Sequence, residues 1–209
     1  MTILTCQDAL DGKIGEQMDA LPLDPGDYSG SYKLIGGRLA LDFVNTVSWP
    51  DTKREHDWLS SAANATAWCA AVGLAMSPLS ENDLDAFREL RRDIRDTLRP
   101  LAHDLRPPKR VVEVFNSRVR SASHLREIDP ETLAWVWTNQ STVIDWSAPI
   151  VFDAAEIVTL EDHARLKHCP SCDWLFEDQT RNGSRRWCDM SDCGSRAKSR
   201  DYYRRTKVG

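Results

Sequence analysis

Four cysteines with the spacing Cys169-x2-Cys172-x15-Cys188-x4-Cys193 constrain this chain more than any other feature. A C-x2-C pair sets two sulfurs on one tight turn, and a second pair closes a tetrahedral thiolate site. Four thiolates leave no open coordination position, so the spacing predicts a structural site and not a hydrolytic one. Zinc (Zn2+) is the expected occupant, being redox-inert and suited to tetrahedral sulfur; an iron–sulfur cluster is the rival. His168 adjoins the first ligand, but four sulfurs already complete the set. The other two cysteines, Cys6 and Cys69, stand alone, so the clustering is a metal pattern in a reducing compartment and not a disulfide framework.

The residues between the cysteine pairs read as a hairpin. Trp174-Leu175-Phe176 is an apolar strand, Asn182-Gly183 a turn dipeptide, and Arg185-Arg186-Trp187 the return strand. After Cys193-Gly194 the run to Lys207 contains neither Pro nor Gly and reads as a terminal helix. So small a module buries little core, and metal binding is expected to supply much of its folding free energy, on the order of 10 kcal/mol.

Net charge is unevenly placed. Residues 1–164 carry 16 Lys+Arg against 26 Asp+Glu, whereas residues 165–209 carry 11 against 6. A basic module on an acidic body points to a polyanion. On the terminal helix Arg196, Arg200, Arg204 and Lys207 share one face, Lys198 and Arg205 lie opposite, and Arg181, Arg185 and Arg186 add charge from the hairpin. Such side chains on a metal-fixed helix suit phosphates and a major groove, so double-stranded DNA is the expected partner. The alternatives are a zinc-stapled protein-interaction module, with arginines that only solvate it, and an RNA binder.

The body reads as mainly helical. Leu39, Phe43 and Val47 recur every four residues before Trp49-Pro50, a second helix covers about 60–72 with Gly73 beyond its end, and Ser80 with Asp83 caps a third. Leu84, Phe87, Ile94, Leu98, Leu101 and Leu105 give that third helix one apolar stripe. Arg88, Arg91, Arg92, Arg95 and Arg99 are expected to form its solvated face, and Pro107-Pro108 ends it. Val112, Phe115 and Val119 mark a fourth helix. The β-rich runs 132–137 and 142–146 read as a hairpin turning over 138–141, followed by a helix from Ser147 to about Val158 and a short one from Thr159. No internal repeat is visible. No apolar run approaches the roughly 20 residues that span a bilayer, and the first residues lack a basic, apolar leader. The chain is expected to be cytoplasmic, with no membrane partner.

At two places the sequence resembles a known family. The stretch Arg181-Asn182-Gly183-Ser184-Arg185-Arg186-Trp187-Cys188 through Cys193-Gly194-Ser195-Arg196-Ala197-Lys198 is similar to the CGNR-type zinc finger. Leu41-Asp42-Phe43-Val44-Asn45-Thr46, within 36–47, resembles the start of the ABATE domain that precedes that finger in bacterial proteins. The resemblance implies a stress-related transcription regulator with a zinc-dependent DNA-binding end. In the name-giving tetrad Ser195 stands in place of Asn. Serine still caps or bonds locally, but any base or phosphate contact of that Asn is not carried over.

Three regions follow: an acidic, loosely ordered extension (1–30), a helical ABATE-like domain with a small β-hairpin (31–160), and a CGNR-like module of zinc knuckle, β-hairpin and helix (161–209). Asp42 and Asn45 lie three apart and, with Trp49 and Arg54, are candidates to line a small-molecule effector pocket. The competing reading has Asp42 and Asn45 satisfying buried backbone groups. A second copy of the chain is a further candidate partner. No nucleophile–base pair, HExxH or phosphate-loop signature is present, so the expectation is a binding protein and not an enzyme.

Overall fold

The computed structural model describes residues 20–74, 78–137 and 142–206. At its centre lies α1, Leu39–Val44, a short helix buried on every side, Asp42 included. A helix apolar all round belongs inside a protein, and α1 packs against two longer helices and the zinc-bearing hairpin. Beyond it β1 (Val47–Ser48) pairs antiparallel with β2 (His56–Asp57).

Helix α2, Ala62–Ala71, starts at Ser61, whose side chain accepts the Asn64 N–H at 3.2 Å. It stops where Gly73 takes φ +77°, letting the Leu74 N–H reach the Cys69 carbonyl at 2.9 Å. Cys69 is buried and its thiol is pushed up to about 12 by burial, which makes it a packing group.

Helix α3, Glu81–Leu101, begins with the expected reciprocal cap: Ser80 Oγ accepts the Asp83 N–H at 3.3 Å while Asp83 accepts the Ser80 N–H at 2.9 Å. Leu84, Phe87, Leu90, Ile94, Leu98 and Leu101 are buried, while Leu105, past the helix end, is 62% exposed. Phe87 joins α1 to the rest through ring contacts with Phe43 at 4.5 Å and Trp146 at 5.5 Å. Helix α4, Lys109–Ala122, completes the packing against α3 and α5 (Val143–Val158).

Three expectations fail here. The arginines of α3 do not form one solvated face: Arg92 and Arg99 are exposed, but Arg91 and Arg95 are each only 7% exposed. Arg91 holds the Asp57 carboxylate bidentately at 2.7 and 2.8 Å and donates to Thr46, and Arg95 reaches Asp173. Their aliphatic stems cross apolar ground to carboxylates far away in sequence, which helical spacing cannot reveal.

The hairpin expected from 132–137 with 142–146 does not form either. Strand β4 (Trp135–Trp137) pairs backwards with β3 (Arg126–Ile128). Thr142 instead caps α5 together with Asp145, and this capping box outweighs the β-branched propensity of Val143 and Ile144. The expected turn at 138–141 falls outside the described residues. The short helix expected from Thr159 is replaced by a turn in which His163 bonds the Ile157 carbonyl.

The β3–β4 turn has a second counterpart in the chain. The Asp129 N–H donates to Ala134 O and the Leu133 N–H to Asp129 O, both at 2.9 Å, with Leu133 at φ +55°. The zinc hairpin, β5 (Leu166–His168) with β6 (Leu175–Glu177), repeats this pattern through Cys169, Asp173 and Trp174. The chain ends in α6, Ser195–Thr206.

Of the extension, residues up to 19 lie outside the described residues. From Ala20 onward the segment is docked: Leu21 pairs with Tyr32, Leu23 is buried, and Asp24 exchanges two hydrogen bonds with Asn64.

Candidate metal centre and basic surface

The knuckle comes from strand geometry. In the β5–β6 turn the Cys169 N–H donates to Trp174 O at 2.8 Å and the Asp173 N–H to Cys169 O at 3.0 Å, with Asp173 in the left-handed region at φ +69°. This backbone turn carries Cys169 and Cys172. Cys188 and Cys193 arrive from a second segment, held by Asp178, which accepts from the Arg185 N–H at 2.7 Å and from Thr180. The return strand expected at 185–187 is absent, because β6 pairs with 166–168 ahead of the knuckle. Asn182-Gly183 still turns the chain, with Gly183 at φ +58°.

The four cysteine sulfurs all lie within 4.8 Å of one another, and all four residues are buried. Cys188 Sγ is 3.4 Å from Cys172 Sγ and 3.6 Å from Cys193 Sγ. A tetrahedron with Zn–S of about 2.3 Å has S···S edges of about 3.8 Å, so the set fits one zinc ion. Zinc bound there acts as a structural cross-link between the knuckle and the 188–193 segment.

Two arginines brace this centre. Arg185 donates to the carbonyls of Trp187 and Cys188 and lies 4.6 Å over the Phe176 ring. Arg196 Nη2 is 3.2 Å from Cys193 Sγ and 3.2 Å from Asp192, and Nη1 reaches the Tyr28 hydroxyl at 3.4 Å. Four thiolates around Zn2+ leave a net charge of −2, which a guanidinium at a sulfur partly offsets. Ser195, where the resemblance has Asn, donates its hydroxyl to the Met190 carbonyl at 3.2 Å.

The body grips the knuckle through main-chain and side-chain bonds. Asn45 donates from Nδ2 to Leu175 O at 2.7 Å and accepts the Leu175 N–H at 2.8 Å. Trp49 Nε1 donates to Ser171 O at 2.6 Å, its N–H donates to Cys172 O, and Trp174 Nε1 donates to Ser48 Oγ at 2.9 Å. Gly36 accepts the Glu177 N–H at 2.8 Å. A Cβ at Gly36 would stand 2.8 Å from Leu41 Cβ and 2.9 Å from the Asp42 N, so no side chain fits. Burial alone would raise the Asp173 carboxyl, but His168, Arg95 and Arg99 around it bring it down to about 2. The zinc cysteines and the body side chains belong to one continuous core.

The four residues expected at an effector pocket each have a partner of their own. Asp42 accepts the Gly36 N–H at 2.7 Å, and burial lifts its carboxyl to about 7. Asn45 and Trp49 bind the knuckle, and Arg54 lies 4.4 Å over the Trp49 ring. Trp49 lines a cavity of about 30 Å³ beside the metal centre, and Arg54 lines an open depression, but neither contains Asp42 or Asn45. Sequence reasoning missed Ser48, Arg95, Asp173 and Trp174 as supports of the metal centre. The one signal for the last two was their place immediately after Cys172.

Among the basic residues, Arg185 and Arg196 are turned inward, and Arg200 donates to Ser171 Oγ at 3.2 Å. Arg181, Arg186, Lys198, Arg204 and Arg205 are exposed. Lys207 lies outside the described residues. Among those described, no helix is long and apolar enough to cross a membrane.

A family model named ABATE and described as "Putative stress-induced transcription regulator" matches residues 37–161. The CGNR zinc finger model matches residues 165–206. No curated protein matches the chain. With well over half its length under the first model and the four sulfurs converging under the second, the chain belongs to the ABATE family and carries a CGNR zinc finger built on structural zinc.

Proposed function

We propose that this protein is a cytoplasmic transcription regulator whose zinc finger binds double-stranded DNA and whose helical body senses a signal or dimerises. The observation that carries the reading is how the finger divides its cations. Arg185 and Arg196 brace the zinc ligands, while Arg181, Arg186, Lys198, Arg204 and Arg205 face solvent on a module whose charge opposes that of the body. Exposed cations on a rigid support suit phosphate contacts, which release counterions and make binding steeply salt-dependent.

The test is selection of bound sequences from a random duplex library by the zinc-loaded chain, followed by anisotropy titration at several salt concentrations. Enrichment of a motif, with affinity falling as salt rises, supports the reading. Absence of duplex affinity at low salt removes it. A contact between protein copies has its own support: Ile128, Leu133 and Trp135 on the β3–β4 hairpin are 55%, 80% and 53% exposed, and such apolar surface favours association. Sedimentation of the chain with and without Trp135→Ser tests it.

A further inference from the structure

Where the end of α3 meets the zinc hairpin there is an open groove of about 360 Å³. The body contributes His103; the hairpin and the following turn contribute Lys167, His168, Ser184, Arg185 and Arg186. No acidic residue lines it. Two carboxylates bond lining residues: Asp173 is already held by His168, Arg95 and Arg99, and Asp178 by the N–H groups of Arg185 and Thr180. Arg185 is drawn inward: its guanidinium bonds the Trp187 and Cys188 carbonyls and its backbone N–H the Asp178 carboxylate. Lys167 and Arg186 have no acidic partner among the described residues, and Arg186 rests 5.5 Å over the Trp187 ring. The groove therefore presents two cations without an acidic partner, Lys167 and Arg186.

Its shape tells against a small buried ligand, which a concave, mostly apolar pocket would surround. This groove is open and polar, and it runs on into the rest of the finger. Pro170 forms part of its wall, and the next residue, Ser171, accepts a hydrogen bond from Arg200 of α6. Arg200 thus extends the groove's cations across the knuckle to α6.

We infer that this groove seats backbone phosphates of a nucleic-acid strand, with Lys167 and Arg186 as the phosphate contacts and His103 placing the body at the strand's edge. The inference rests on the DNA-binding reading and adds to it that the finger does not bind alone. Lys167 lies outside the run of arginines that first suggested nucleic acid.

The test uses the full zinc-loaded chain, a Lys167→Gln/Arg186→Gln variant, and a Lys109→Gln/Arg110→Gln control of the same charge change on α4. Zinc content and thermal midpoint verify folding, and the single Arg186→Gln variant, at an exposed position, stands in if the double variant does not fold. Duplex affinity is followed by anisotropy between about 50 and 200 mM salt. Each lost phosphate contact should lower the slope of log K against log salt by about 0.9, so the groove variant loses nearly two units of slope and the control none. The single variant should lose about half as much. If wild type and groove variant bind alike with equal slopes, the inference is overturned and the DNA reading stands. If the wild type binds no duplex, the DNA reading falls and inorganic phosphate becomes the probe, read at the His103 imidazole resonances. A shift in wild type that is absent from the groove variant keeps the groove as a phosphate site; no shift removes it as well.

Discussion

Replacing Asn45 with Ala strips both partners from one backbone unit of the zinc hairpin. The amide donates to Leu175 O at 2.7 Å and accepts the Leu175 N–H at 2.8 Å, and both residues are fully buried. Water cannot take over either bond there. A buried donor or acceptor left unsatisfied costs about 1–3 kcal/mol, so the two together give about 2–6 kcal/mol. For a chain of this size each kcal/mol moves the thermal midpoint by roughly 2–4 °C, which puts the expected fall between about 4 and 24 °C. Because Leu175 lies three residues after Cys172, the damage should also loosen the metal. Two assays check this: thermal unfolding followed by circular dichroism, and the rate at which zinc passes to a chromogenic chelator. Asn45→Asp keeps the acceptor but turns an oxygen toward the Leu175 carbonyl, so it should rescue little. A midpoint within about 2 °C of wild type, together with an unchanged zinc release rate, would refute the argument that this amide ties body to finger.

Three other outcomes are expected. Removing zinc with a strong chelator should raise hydrogen exchange across 179–206 while 166–177 stays protected, since Asn45, Ser48 and Trp49 still hold the hairpin; equal exposure of both segments would contradict this. Asp42, with its folded-state pKa raised to about 7 by burial, contributes stability that is fully present below its unfolded pKa and lost as pH rises through about 7. Denaturation at pH 5 and pH 8 should show that loss in wild type and a smaller one in Asp42→Asn. Gly36→Ala should destabilise by about 1–3 kcal/mol, because its Cβ meets backbone and the Leu41 Cβ. Gly194→Ala should be milder, since the nearest atom is the mobile Met190 sulfur; equal effects on the denaturation midpoint would refute the distinction.

What could be read from the sequence was what local spacing encodes. The metal ligands, the Ser80–Asp83 cap and the glycine stop at Gly73 each depend on residues a few positions apart, and each appears in the structure as expected. The failures share the opposite property. Arg91 and Arg95 are buried because Asp57 and Asp173 come to them from 34 and 78 positions away. Asn45 finds its partner 130 residues later, which no periodicity within α1 could announce. The misread hairpin is a conflict between two local codes: β-branched Val143 and Ile144 against the Thr142–Asp145 box, which gains reciprocal backbone bonds and so prevails. The same box was recognised at Ser80, where no β-rich sequence competed with it.

The β3–β4 turn shows what the metal does not do. At the position of Cys169 it has Asp129, whose carboxylate accepts the N–H groups of Glu131 and Thr132 at 3.0 and 2.7 Å and the Thr132 hydroxyl at 2.9 Å. The backbone nevertheless follows the same path, down to the left-handed residue before the second strand. One loop shape is thus written twice, once with a carboxylate and once with sulfur, and only the second copy has ligands arriving from elsewhere. The ion is a fastener between segments and not a mould for the loop. Exchanging zinc for a larger thiophilic ion should therefore alter how firmly α6 is held, and leave the knuckle as it is.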